Sequence, residues 1–96
     1  MKSEQISDLA MLLKSISHPF RLQILSLLQD KEMTVGELSK AIKTTDANVS
    51  QHLSILRQQG IITTRKEANF IYNSLIDDRV TRLIETMQVL FCNIEE

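Results

Sequence analysis

The amino-acid sequence predicts a mainly helical domain with one β-hairpin, in the order of four helices, two strands and a final helix. Three observations lead to this prediction. Apolar residues recur at helical spacing up to Gly60, β-branched and aromatic residues dominate positions 61–75, and helical spacing returns from Val80. With 96 residues, 43% of them hydrophobic, the chain is expected to form a single domain over 1–96 with its own core.

A proline separates the first two predicted helices. Apolar residues keep helical spacing over about Glu4–Ile16, which predicts the first helix. Pro19 disfavours helix in the residue before it and suits the first turn of a new helix, so a second helix is expected from there to about Gln29. His18 is interpreted as a structural residue at this helix start. The residues expected to be buried by the second helix are Leu22, Ile24, Leu25 and Leu28.

Capping signals place the third and fourth helices. Thr34 and Glu37 match a capping box, which predicts a short helix from Val35 to about Lys43. Thr45 is placed to cap a fourth helix that ends near Gly60. Two short helices joined by a turn of a few residues form a helix-turn-helix pattern.

The period of the sequence changes after the fourth helix. Ile61–Lys66 and Phe70–Leu75 are rich in β-branched and aromatic residues and predict a β-hairpin. Helical spacing then returns over Val80–Ile94, with an apolar stripe too long for so small a domain to cover, which indicates a dimer interface. The whole order is that of a winged helix-turn-helix with an extra helix at each end.

The fourth helix has two unlike faces. Val49, Leu53 and Leu56 have the spacing of a stripe that packs on a core. The opposite side, here called the uncharged face, consists of Ala47, Ser50, Gln51 and Ser54. A merely solvated helix usually carries Lys and Glu there. Ser and Gln instead suit base edges in a DNA major groove, and Ala suits a thymine methyl group. The pattern favours base recognition; the alternative is a solvated or protein-binding surface.

Charge is unevenly distributed along the chain. The net charge is −1, but residues 34–75 carry five basic against three acidic residues, whereas 76–96 carry two basic against five acidic residues. Only the middle segment is therefore expected to attract a polyanion. The cations predicted to bind phosphate are Lys40, Lys43, Arg57, Arg65 and Lys66.

Four segments together form a recognisable pattern. They are Ser17–Leu25, Thr34–Leu38, Asn48–Arg57 and Tyr72–Leu75. In this order and spacing they resemble the ArsR/SmtB family of winged-helix repressors, and the resemblance covers nearly the whole chain. It implies a homodimer that is held by the first and last helices and binds an inverted repeat in promoter DNA. It also implies that an inducer ends repression.

The resemblance also implies a set of DNA-binding residues. The family's base-contacting positions correspond to Asp46, Ala47, Ser50 and Gln51. His52 is expected either to contact DNA or to be plainly exposed. The neighbouring residues that complete the predicted DNA-binding set on this helix are Thr45, Asn48 and Ser54. In the wing, Arg65 and Lys66 are expected to approach the DNA backbone or minor groove, although Glu67–Asn69 stand where many relatives carry Gly and Arg.

The family's metal-sensing sites are mostly missing. The positions that hold cysteines in the arsenic-type site are occupied by Thr34, Gly36 and Ser39, so no soft thiolate ligand is present there. In the zinc-type site, Asp77 matches the acidic ligand. The other positions of that site hold Arg79, Leu90 and Asn93. No metal and no cofactor are therefore expected.

The single cysteine leaves two interpretations open. The resemblance is strongest to thiol-switch regulators related to the haemolysin activator of vibrios, which share the Lys66–Ala68 wing and a cysteine near the C-terminus, here Cys92. Their second cysteine is replaced by Ser39, so an intramolecular bridge cannot form. Cys92 is then either a redox site, alone or paired with its twin in a dimer, or a buried inert thiol.

Several function classes are disfavoured. The apolar runs are too short for a membrane span, the N-terminus lacks the order of a secretory signal, and one cysteine fits a reducing compartment, so a cytoplasmic protein is expected. No nucleophile–base pair, phosphate loop or paired metal ligands indicate an enzyme. The alternative hypothesis is a protein-interaction module on the same fold that no longer binds DNA, which the small positive excess and Glu67 favour.

Overall fold

The computed structural model of the protein describes residues 1–91. Its elements are α1 (Ser3–Ile16), α2 (Pro19–Leu28), α3 (Val35–Ile42), α4 (Asp46–Gln58), β1 (Ile62–Glu67), β2 (Phe70–Leu75) and α5 (Asp78–Phe91). This is the order predicted for a winged helix-turn-helix, and the predicted boundaries in the described part lie within two residues of the observed ones. No helix in that part is long and apolar enough to cross a membrane.

Side-chain caps begin α2, α3 and α4, and those at Thr34 and Thr45 are the caps that the sequence predicts. The ring Nδ1 of His18 accepts the backbone N–H of the second residue of α2 at 3.1 Å. At α3, the Thr34 hydroxyl accepts the Glu37 N–H at 3.2 Å, while the Glu37 carboxylate accepts the Thr34 N–H at 2.9 Å. The Thr45 hydroxyl accepts the Asn48 N–H at 3.1 Å. Each bond satisfies a donor that the first helical turn leaves without a partner.

A three-residue turn fixes the angle between α3 and α4. Lys43 adopts a left-handed conformation, with φ at 66°. The backbone N–H groups of Lys43 and Thr44 donate to the carbonyl of Ser39 at 2.8 and 3.0 Å, which closes the C-terminal end of α3. Because backbone hydrogen bonds end α3 here, α4 begins after the short turn and at a fixed orientation relative to α3.

The core lies between the helices and the base of the hairpin. Its most deeply buried apolar residues, each at most 1% exposed, are Ile24, Leu25, Leu38, Val49, Leu53, Leu56, Ile61 and Val80. The prediction that Leu22 is buried is wrong, since 37% of the residue is exposed. It lies on the side of α2 that faces α5, where it lines an open cavity with Ile84 and Met87.

The hairpin is fastened to the rest of the fold by a contact that the sequence did not reveal. Its strands pair with Arg65 opposite Tyr72, and Ala68 in the turn has φ at 55°. Met33, just before α3, pairs with Asn73 of β2 through two backbone hydrogen bonds of 3.0 and 2.8 Å. The Asn73 side chain, only 1% exposed as a residue, donates a further bond to the Met33 carbonyl at 3.1 Å. The wing is thereby joined to the start of the helix-turn-helix.

Replacing Leu53 with alanine tests how α4 is held. Leu53 is 1% exposed, so L53A is expected to lower the free energy of unfolding by about 2–5 kcal/mol, because it removes buried methyl groups and leaves a cavity. Urea unfolding followed by circular dichroism measures the change. The exposed Gln51 provides the control on the same helix, since Q51A is expected to change stability by less than about 0.5 kcal/mol. Similar destabilisation in both variants would contradict this packing of α4.

Candidate nucleic-acid interface

The uncharged face of α4 points away from the core. Val49 and Leu53 are buried, whereas Ala47, Ser50 and Gln51 on the opposite side of the helix are exposed. Ser54 is half-buried at the edge of this face. Three side chains able to contact a base edge or a thymine methyl are therefore presented on a single surface of a well-anchored helix.

The predicted DNA-binding residues at the N-terminal end of α4 also hold the helix-turn-helix together. The Asp46 carboxylate accepts a hydrogen bond from the Ser39 hydroxyl of α3. The Asn48 amide donates to the Thr44 hydroxyl at 3.1 Å, and the Thr45 hydroxyl caps the helix. These bonds use some of the donors and acceptors at the N-terminal end of α4, the end that would enter a DNA groove first. They also fix the position of that end.

His52 does not have the environment expected from the sequence. It is only 9% exposed, so the prediction of plain exposure is wrong, whereas contact with DNA stays a prediction. The residue lies three positions after Val49 and four before Leu56, on the buried side of α4, a spacing that could have revealed its burial. Its ring packs within the domain.

A small cluster surrounds His52 and joins α4 to the start of α2. The His52 ring centroid lies 4.3 Å from that of His18 and 5.7 Å from that of Phe20. Nη1 of Arg21 lies 3.5 Å from His52 Nδ1. Burial, with the charges of His18 and Arg21 nearby, lowers the pKa of His52 below its usual value, which favours the neutral imidazole in the folded protein.

Four of the five predicted phosphate-binding cations are exposed and without a salt bridge to any residue in 1–91. They are Lys40, Lys43, Arg57 and Lys66. Arg57 lines, with Ser50 and Thr64, a cleft of about 180 Å³ between α4 and the hairpin. Lys66 shares a strand face with Thr64, because residues two apart on a strand point the same way. The free cation of β1 thus lies on the side of the hairpin that faces α4.

Arg65, the fifth cation, already binds two carboxylates. Its Nε donates to both carboxylate oxygens of Glu32, at 2.7 and 3.0 Å, and its Nη1 donates to Glu67. The guanidinium carbon lies 4.7 Å from the centroid of the Tyr72 ring. The hydrogen bond from Arg65 lowers the pKa of Glu32. The side chain of Arg65 is 49% exposed, so its approach to DNA stays a prediction, but its guanidinium already binds two carboxylates.

Asp77, which corresponds to the acidic ligand of the family's zinc-type site, has an ordinary structural partner. Asp77 accepts hydrogen bonds from the backbone and side chain of Arg79, which lower the pKa of its carboxyl group. Among residues 1–91, no three His, Cys, Asp or Glu side chains are grouped so as to hold a metal ion. Cys92 and Asn93 lie outside the described residues.

Comparisons with known proteins agree with this geometry. Residues 18–64 match the family described as bacterial regulatory protein, arsR family. The biofilm growth-associated repressor of Agrobacterium fabrum is 39% identical over 93 residues, which cover 97% of this chain and 80% of that protein. The chain belongs to the ArsR family. It is a bacterial regulatory protein rather than an enzyme.

Two further proteins similar to this ArsR-family chain have solved structures. The transcriptional activator HlyU of Vibrio cholerae is 42% identical over 81 residues, 84% of this chain and 75% of that protein. Its reduced form superposes with a TM-score of 0.90 at 38% identity, covering 94% of this chain and 95% of the other. A homodimeric winged helix-turn-helix DNA-binding domain from Mycobacterium bovis gives a TM-score of 0.81 at 27% identity, covering 92% and 82%. These matches confirm the predicted fold and family.

The state of His52 makes the stability of this ArsR-family protein depend on pH. In the unfolded chain the imidazole titrates near pH 6.5, and the folded pKa is lower. As the pH falls below about 6.5, the unfolded chain therefore binds a proton that the folded protein excludes, and stability declines. The thermal unfolding midpoint is expected to fall between about pH 7.5 and 5.5, and to fall less steeply in H52Q. An equally steep decline in H52Q would show that His52 is not responsible.

Proposed function

We propose that this ArsR-family regulator is a homodimeric, sequence-specific repressor that binds an inverted-repeat operator in the cytoplasm. Proteins of this family bind DNA and dimerise, and the Agrobacterium fabrum relative is a repressor by name. The observation that carries the proposal is the exposed, uncharged face of a buried and capped α4. Such a face combines hydrogen-bonding side chains with a fixed orientation, which base recognition requires.

Base contacts would come from the outward side of α4. Ala47, Ser50 and Gln51 would meet base edges in the major groove, with Ser54 at the margin. Thr45, Asp46 and Asn48 would lie at the entering end of the helix, where they already bond to the turn or to α3. In a twofold-symmetric dimer, the two α4 helices would enter successive major grooves about 34 Å apart.

Dimerisation would cover the apolar surface of the two terminal helices. On α1 and α5, the large apolar residues that are at least 40% exposed are Ile6, Leu9, Met11, Leu13, Val89, Leu90 and Phe91. Isolated monomers rarely expose so many large apolar side chains on two helices, and a second copy of the chain would bury them. The homodimeric Mycobacterium bovis domain is a precedent for dimers on this fold.

Phosphate attraction would come from the free cations around the uncharged face. Lys40 and Lys43 lie on or next to α3, Arg57 near the end of α4 and Lys66 in the wing. Each phosphate that a cation neutralises releases counterions, so affinity should fall steeply with salt. The net charge of −1 makes this local arrangement, not overall charge, the source of attraction.

Removal of the two polar side chains of the uncharged face tests base recognition. S50A and Q51A are each expected to reduce discrimination between the operator and unrelated duplex by about 1–3 kcal/mol for each good hydrogen-bonding pair with a base that the change removes. Fluorescence anisotropy with the chain's own promoter fragment and a scrambled fragment gives the two affinities. Because both residues are exposed, thermal unfolding should be nearly unchanged.

A matched variant separates base contacts from phosphate contacts. K40Q is expected to weaken binding to both fragments about equally and to reduce the slope of log K against log salt by about 0.9, because it removes one phosphate contact. Unchanged operator discrimination in S50A and Q51A would show that the base-contacting face is assigned wrongly. If the unmodified protein binds neither duplex at moderate salt, the protein-interaction module is the correct alternative.

A further inference from the structure

The wing contains a bridge between residues that are far apart in the sequence. Glu32 lies in the turn between α2 and α3, and Arg65 lies on β1, 33 positions later. The guanidinium binds Glu32 through Nε and Nη2 and binds Glu67 through Nη1. Tyr72, opposite Arg65 in the hairpin, stacks beneath it with 4.7 Å between the guanidinium carbon and the ring centroid. The planar guanidinium is thus held by two carboxylates and one aromatic ring.

This bridge connects the wing to the helix-turn-helix. Met33, the residue after Glu32, pairs with Asn73 of β2, and Thr34 caps α3. Arg65 reaches across from the outer strand, β1, to the same turn. Both strands of the hairpin are therefore fastened to the segment that begins α3. Movement of the wing relative to the turn before α3 would break the contact between Glu32 and Arg65.

The charges of this cluster disfavour direct phosphate binding by Arg65. One guanidinium faces two carboxylates, so the group of Glu32, Arg65 and Glu67 has a net negative charge at neutral pH. The bidentate contact with Glu32 and the contact with Glu67 already use three of the five guanidinium N–H groups, and an approaching phosphate would meet the negative charge of both carboxylates. Lys66, the next residue in the strand, points to the other side of the hairpin. That side of the hairpin lines the cleft against α4.

We propose that Arg65 is a positioning residue for DNA binding, which holds the wing against the turn before α3 through Glu32, while Lys66 makes the phosphate contact of the wing. This inference rests on the proposed DNA-binding function and assigns Glu32 a part in it. A single exposed ion pair stabilises a protein little. The ion pair between Glu32 and Arg65 instead sets the angle of the wing relative to the helix-turn-helix. That angle decides whether Lys66 and α4 can contact the same DNA duplex at once.

Three variants at the bridge test the proposal by operator affinity and its salt dependence. E32Q and R65Q are each expected to weaken operator binding by roughly three- to tenfold, with the salt slope unchanged. The double variant should bind no more weakly than either single variant, because both remove the same interaction. R65K should also bind weakly, since lysine keeps the charge but cannot form the bidentate, stacked arrangement. K66Q, the control, should lower the slope by about 0.9.

The opposite role for Arg65 gives the opposite results. If Arg65 binds phosphate itself, E32Q would free it and tighten operator binding, R65Q would lower the salt slope by about 0.9, and R65K would restore binding. Any of these outcomes, or unchanged affinity in E32Q, overturns the proposal. Circular dichroism of each variant checks that the helices remain folded. Failure of the unmodified protein to bind its operator would instead refute the proposed function, so the two failures are distinguishable.

Discussion

The orientation of α4 about its own axis is the constraint on which the rest of the structure depends. Val49, Leu53 and Leu56 are at most 1% exposed, and rotating the helix would bring these side chains into water. Each such side chain contributes about 1.5–3 kcal/mol when fully buried, so no other rotation competes. The uncharged face is exposed because the opposite face is buried. In the proposed function, recognition of bases would therefore depend on packing that involves no contact with DNA.

The same packing explains why the cluster around His52 lies inside the domain. A neutral imidazole can be buried at modest cost, and here it fills the space between α4 and the start of α2 beside His18 and Phe20. The cluster therefore packs the start of α2 against the buried side of α4.

Electrostatics in this protein is local. Cations without a salt bridge in the described residues lie on α3, just after it, on α4 and in the wing. The wing also places Arg65 between two carboxylates and directs Lys66 toward the α4 side. A chain with a net charge of −1 can attract DNA only through such an arrangement. The local arrangement of charges matters more than the net charge at short range, because salt screens exposed charges beyond about 8–10 Å.

The sequence by itself determined the order of the elements, the caps at Thr34 and Thr45, and the two faces of α4, because these depend on spacing and on bonds between neighbours in the chain. It also placed the chain in the ArsR family. The tertiary structure alone decided the partial exposure of Leu22, the burial of Asn73 and the capture of Arg65 by Glu32. These depend on contacts between residues tens of positions apart, for which no local pattern exists. A cation in a strand has the same sequence signal whether it meets phosphate or a carboxylate.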